Sequence, residues 1–208
     1  MIINNFDILS TYFSHLKSVN DFYFVQILQR KQDGNLINKD KNVLQSFYFY
    51  TKEEFLSKKD LIISLCEQNN SRAYFWINPR NNKQIALDCI QKYSELLKQK
   101  DCKSGPSVWS KACGQTPSSD YERLWVIDVD STDTGLISKY IELVNNSRGK
   151  SHDKIHAIIP TLNGCHIISN GFDIQQFNNM CQSNNLEIPD IHKNNSTLLY
   201  YNEQNNKN

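Results

Sequence analysis

The stretch Arg123-Leu124-Trp125-Val126-Ile127-Asp128-Val129-Asp130-Ser131 constrains this chain more than any other. Leu124, Trp125, Val126, Ile127 and Val129 are apolar or aromatic, the pattern of a buried strand. Two carboxylates stand at i and i+2 near its C-terminal end. Side chains alternate faces along a strand, so Asp128 and Asp130 project to the same side. Like charges held that close repel unless a divalent cation lies between them or one takes a proton. Alone, an Asp-x-Asp also suits a strand that ends in solvated acids, and other parts of the chain have to decide.

The segments around this strand divide into two sets. In the first, residues 6–17 carry an apolar helical face, and 22–28 and 44–50 read as an antiparallel pair of strands joined through the turn signal Asp33-Gly34-Asn35. Thr51-Lys52-Glu53-Glu54 matches a capping box that opens a helix to about residue 67. A third strand spans 72–80 and ends at Pro79, and an amphipathic helix spans 83–98. Residues 101–122 are small and polar and exceed the usual length of a connection, which marks a boundary.

The second set is more regular: strands at 123–130, 154–160, 166–169 and 197–201, with helices at 136–144 and 174–183. That order is β-α-β-β-α-β, the ferredoxin-like or RRM-like arrangement. The expected fold is therefore α+β, with an N-terminal αβ module (1–122) packed on an RRM-like module (123–208) whose end, from Tyr201, is a frayed polar tail.

Charge and cysteine usage narrow the function classes. With 23 basic and 22 acidic side chains among 208 residues the chain is no blanket polycation, so any nucleic-acid contact needs a local patch. The six cysteines form no Cys-x-x-Cys pair, which argues against a zinc ribbon and a thioredoxin-type site. Scattered thiols, a start without a basic and apolar leader, and no run of 18 apolar residues lead to the expectation of a cytoplasmic protein without membrane attachment.

In a β-α-β-β-α-β sheet the first and third strands are central neighbours. Asp128 and Asp130 end the first, and His166 begins the third after the turn Thr161-Leu162-Asn163-Gly164. Asp190 follows Pro189 just before the last strand. Three carboxylates and an imidazole on one sheet face suit Mg²⁺ or Mn²⁺ together with a triphosphate, because hard cations take oxygen ligands and share phosphate oxygens. Arg72 and Arg80 flank the aromatic run Tyr74-Phe75-Trp76. Core packing is the simpler role for the rings, and Arg80 is a candidate for gripping phosphate.

These motifs resemble the archaeo-eukaryotic primase superfamily, the primase-polymerases. The shared pattern is a strand ending in Asp-x-Asp (Asp128, Asp130), a Gly-x-His turn (Gly164-Cys165-His166) and a late apolar-Asp motif (Ile188-Pro189-Asp190). The resemblance covers about residues 124–200 and implies a minimal catalytic core. Asp128, Asp130 and Asp190 would hold the metals. His166 would contact the incoming nucleotide's phosphates, with Thr161, Asn163 and Gly164 in the turn beside them. It also implies a template–primer pair and nucleoside triphosphates as partners, and a helicase or other replication protein to load the core. Where that family often carries serine and a basic residue, this chain has Thr161 and Asn163. The alternatives are a non-catalytic RRM-like nucleic-acid-binding adaptor and a metal-dependent nuclease. An asparagine-rich, stand-alone core would suit a phage, and then the host cytoplasm is the expected location.

Overall fold

A computed structural model describes residues 1–30, 43–99 and 103–203. The turn expected at Asp33-Gly34-Asn35 lies outside the described residues. The fold is mixed α+β, with seven α-helices and two antiparallel sheets among the described residues. No helix among them is long and apolar enough to cross a membrane.

The first sheet contains β1 (Ile2–Asn4), β2 (Asp21–Leu28), β3 (Val43–Phe49), β4 (Arg72–Trp76), β5 (Arg80–Asn81) and β10 (Ser196–Asn202). Their order is β1-β10-β4-β2-β3, with β5 on one end of β2. β2 is buried on both faces. Tyr23, Val25 and Ile27 point to one core, and Phe22 and Phe24 to the other. The first core is closed by α1 (Phe6–Ser10), α2 (Lys52–Ser57) and α3 (Lys59–Gln68) through Phe6, Phe55 and Ile62. The second is closed by α4 (Asn82–Lys98) and α5 (Val108–Gln115) through Ile85, Val108 and Ala112. Fully burying a side chain the size of Phe75 is worth roughly 2–3 kcal/mol, so this aromatic-rich layer dominates the energetics.

Local chemistry explains the boundaries. Thr51 caps α2 as the motif requires, its hydroxyl accepting from the Glu54 amide at 3.1 Å while the Glu54 carboxylate accepts from the Tyr50 amide at 3.0 Å. The helix expected to run to residue 67 breaks at Lys58, and α3 restarts directly after it. The helix expected over 6–17 gives way at Thr11 to a 3₁₀ turn. The polar stretch 101–122 is not a plain loop, because α5 lies in it and buries Val108, Ala112 and Cys113 at helical spacing.

The second sheet is ordered β7-β8-β6-β9, from β6 (Leu124–Val129), β7 (Ile155–Pro160), β8 (Cys165–Asn170) and β9 (Asp190–His192). One face carries Trp125, Ile127, Val129, Cys165 and Ile167 against α6 (Thr134–Asn146) and α7 (Ile174–Ser183). Asp133 and Asp173 cap those helices. The opposite face turns Val126, Ile159 and Ile168 into the core of the first sheet. Asn78 bridges the halves, donating to the Leu124 carbonyl and accepting from the Leu124 amide.

The last strand needs correction. Residues 196–202 do not complete the second sheet but insert between β1 and β4 of the first, and the fourth strand is the short β9. Tyr201 is not part of a frayed tail, since β10 buries it almost completely.

Candidate functional site

The site grows out of the strand register. Asp128 on β6 is directly opposite Asp190 on β9 and directly opposite His166 on β8. Residues paired across antiparallel strands share a face. Asp190, Asp128 and His166 therefore form a row across three neighbouring strands, on the face that continues toward the first sheet. Asp130 follows the end of β6, one strand period on. Cys165 takes the opposite face and is buried among helix contacts, so it forms no nucleophile pair with His166.

His166 is held from two directions. Its Nε2 lies 3.4 Å from Asp128 Oδ1, and its Nδ1 lies 2.8 Å from the hydroxyl of Thr197. With the neutral ring donating from Nε2 to the carboxylate, Nδ1 accepts from the Thr197 hydroxyl. Thr197 is fully buried on β10, so the first sheet fixes the orientation of an imidazole carried by the second. The hydrogen bond from His166 holds the Asp128 carboxyl below its usual range. Burial opposes that shift, and the electrostatic influence of His166, His192 and Arg30 assists it.

The turn before β8 is packed hard against the end of β6. A Cβ on Gly164 would sit 2.0 Å from the Val129 carbonyl oxygen and 2.5 Å from the Ser131 amide nitrogen. Only glycine permits this approach. The Thr161 amide closes the turn on the Gly164 carbonyl at 2.9 Å. Gly164 thus acts as a spacer that brings Thr161 and Asn163 alongside the two aspartates.

Asp128 and Asp130 line two cavities. One, of about 110 Å³, is also bordered by His166, Thr161, Asn163, Arg30 and Arg72. The guanidinium of Arg72 lies over the Tyr201 ring at 4.2 Å, and that of Arg30 over Tyr74 at 5.9 Å. The other, of about 370 Å³, is lined by Asp190, Glu187 and an apolar wall. Arginine forks, a hydroxyl, an amide and an imidazole suit phosphate oxygens, and carboxylates suit a hard cation. Among the described residues no three His, Cys, Asp or Glu side chains gather as a ready-made metal centre. Asp128, Asp130 and Asp190 are the carboxylates that would hold a cation, with phosphate and water needed for its remaining ligands.

Arg80 is the candidate that the structure does not bring here. It is fully buried, its guanidinium donating to the carbonyls of Cys113 and Asn78 and to Asn194 Oδ1, with its centre 5.2 Å from the Trp76 ring. Burial lowers its pKa to about 10, so it remains a cation near neutral pH. Arg72, from the other end of the same aromatic run, occupies the position beside the acids instead. Thr197 was not legible as a site residue, because nothing local in the sequence marks a strand that joins the other sheet, and Arg30, just past the end of β2, carries no local signal either.

No family model, no curated protein and no solved structure matches the chain.

Proposed function

We propose that the chain is a metal-dependent nucleotidyltransferase of the primase-polymerase type, which adds nucleotides to a nucleic-acid 3′ hydroxyl. The observation that carries this is the register row Asp190–Asp128–His166 beside the small arginine-bordered cavity. The strand order β7-β8-β6-β9, with both helices on one face, agrees with an RRM-like module and supports the reading.

Asp128, Asp130 and Asp190 would hold Mg²⁺ or Mn²⁺. When bound, the cation lowers the pKa of the attacking hydroxyl and screens charge on the leaving phosphates. Arg72 and Arg30 offset the charge of the triphosphate, and the Thr161 hydroxyl and Asn163 amide donate to its oxygens. His166, held through Nδ1 by Thr197, would turn its Nε2–H from Asp128 to a phosphate oxygen once the carboxylate takes the cation. The 3′ oxygen bonds to the α-phosphorus as the α–β anhydride breaks and pyrophosphate leaves. The partners that follow are a template–primer pair and nucleoside triphosphates.

The test is incorporation of labelled nucleotides on primed and unprimed templates with Mn²⁺ or Mg²⁺, beside an Asp128→Asn/Asp130→Asn variant. Extension by the native chain that vanishes in the variant is expected. A shortened strand would assign a nuclease instead, and an unchanged strand bound equally by both proteins would assign an adaptor.

A further inference from the structure

The two cavities that share Asp128 and Asp130 differ in size and charge. The one bordered by Arg30 and Arg72, at about 110 Å³, has room for phosphate groups but not for a base and sugar. The one on the side of β9, at about 370 Å³, falls within the range of about 300–1,000 Å³ usual for small-ligand sites. Its wall joins Leu136 and Tyr140 of α6 to Ile188 and Pro189, and the carboxylates of Glu187 and Asp190 add to those of the Asp128/Asp130 pair. That sign of charge disfavours a triphosphate far more than the single phosphodiester of a strand end, and the apolar wall suits the body of a nucleoside.

The wall is preformed. Tyr140 donates its hydroxyl to the Glu187 carbonyl at 2.7 Å, and the Leu186 amide returns to the Cys181 carbonyl at 2.9 Å. Asn185 turns the chain between them with a φ of +53°. The stretch from α7 to β9 is thereby fixed against α6 before any ligand arrives.

Resting on the nucleotidyltransferase reading, we infer that this larger cavity binds the terminal nucleoside of the acceptor strand. In-line transfer sets the attacking oxygen and the leaving pyrophosphate on opposite sides of the α-phosphorus. With the pyrophosphate portion among Arg30, Arg72 and the Thr161–Asn163 turn, the attacking hydroxyl arrives from across Asp128 and Asp130, the residues that the two cavities share. Leu136, Tyr140 and Ile188 would grip the sugar and base, with the hydroxyl toward the acids.

Ile188 is 40% exposed, so a larger side chain there can fill the cavity without disturbing the core. With the full chain and Mn²⁺, Ile188→Trp should raise the acceptor KM by about tenfold, the size of a modest packing clash, and shift the nucleotide KM by less than about twofold. A rise in nucleotide KM with the acceptor KM unchanged would give the cavity to the incoming nucleoside and overturn the inference, as would no change in either. A second titration needs no turnover: an oligonucleotide ending in a fluorescent 2-aminopurine nucleoside, bound to native and Ile188→Trp proteins. Weaker binding by the variant is expected. Equal binding would overturn the assignment, whereas native protein that binds yet never extends the strand would count against the proposed activity alone.

Discussion

Arg80 and Arg72 flank the same aromatic run and have opposite fates. Arg80, the first residue of β5, is sealed against α5, donating to the Cys113 and Asn78 carbonyls and to Asn194 Oδ1, and it ties Cys113 to the first sheet. Arg72 is also largely buried, but it stacks on Tyr201 and borders the cavity that holds Asp128 and His166. A buried cation satisfied by carbonyls contributes to folding, and a cation at a cavity beside carboxylates can meet a ligand. The same contrast separates the sealed helix-covered face of the second sheet from its other face, where the row Asp190–Asp128–His166 ends in partly exposed groups.

Five substitutions sharpen or break that contrast. Asp128→Asn should lower nucleotide incorporation by roughly 10²–10³-fold, the scale for losing one preorganised electrostatic group. Its stability to urea should fall only by about 1 kcal/mol, the scale of the weakened His166 hydrogen bond. A loss of several kcal/mol would move Asp128 to the structural side of the divide.

Arg80→Ala should cost about 3 kcal/mol in urea unfolding, because carbonyls of Cys113 and Asn78 lose their donors in a dry site. Activity per folded molecule should change little. Arg72→Lys is expected to behave the other way, raising the nucleotide KM by about tenfold through loss of the planar fork while stability changes less than for Arg80→Ala. If the two arginines exchange phenotypes, the site has been assigned to the wrong end of β4.

The smallest effect is expected at Thr197. Thr197→Val removes the partner of His166 Nδ1 and should cost about 1 kcal/mol. Loss of His166 has a pH signature. The folded Asp128 carboxyl is held down chiefly by His166, so its contribution to stability is complete above the ordinary carboxylate value of about 4 and disappears as pH falls through the lower folded value. The stability difference between native protein and His166→Phe should therefore be larger at pH 6 than at pH 3. A difference independent of pH would show that the imidazole does not stabilise the carboxylate.

Much of this was legible in the chain itself. Alternation put Asp128 and Asp130 on one side of a buried strand, the turn at Asn163-Gly164 announced β8, and the Thr51/Glu54 pair marked the start of α2. The failures have physical causes. Residues 196–202 alternate as any half-buried strand does, but alternation does not name the neighbour, and β10 pairs with β1 and β4. β9 is three residues long and follows a proline, too short for periodicity to reveal. α5 was hidden by the glycines and polar residues around it, though Val108, Ala112 and Cys113 carried its spacing. Arg80 and Arg72 look alike in sequence because burial depends on helices far along the chain. Thr197 is a site residue only because the two sheets meet.

Water-proton relaxation of Mn²⁺ tests the central claim most directly. Mn²⁺ would be titrated into native protein and into Asp128→Asn/Asp130→Asn, each with and without a nucleoside triphosphate. Binding that tightens with the triphosphate and is lost in the variant is the predicted result. Equal binding by the two proteins would mean that the row of Asp190, Asp128 and His166 does not hold a cation and a triphosphate together.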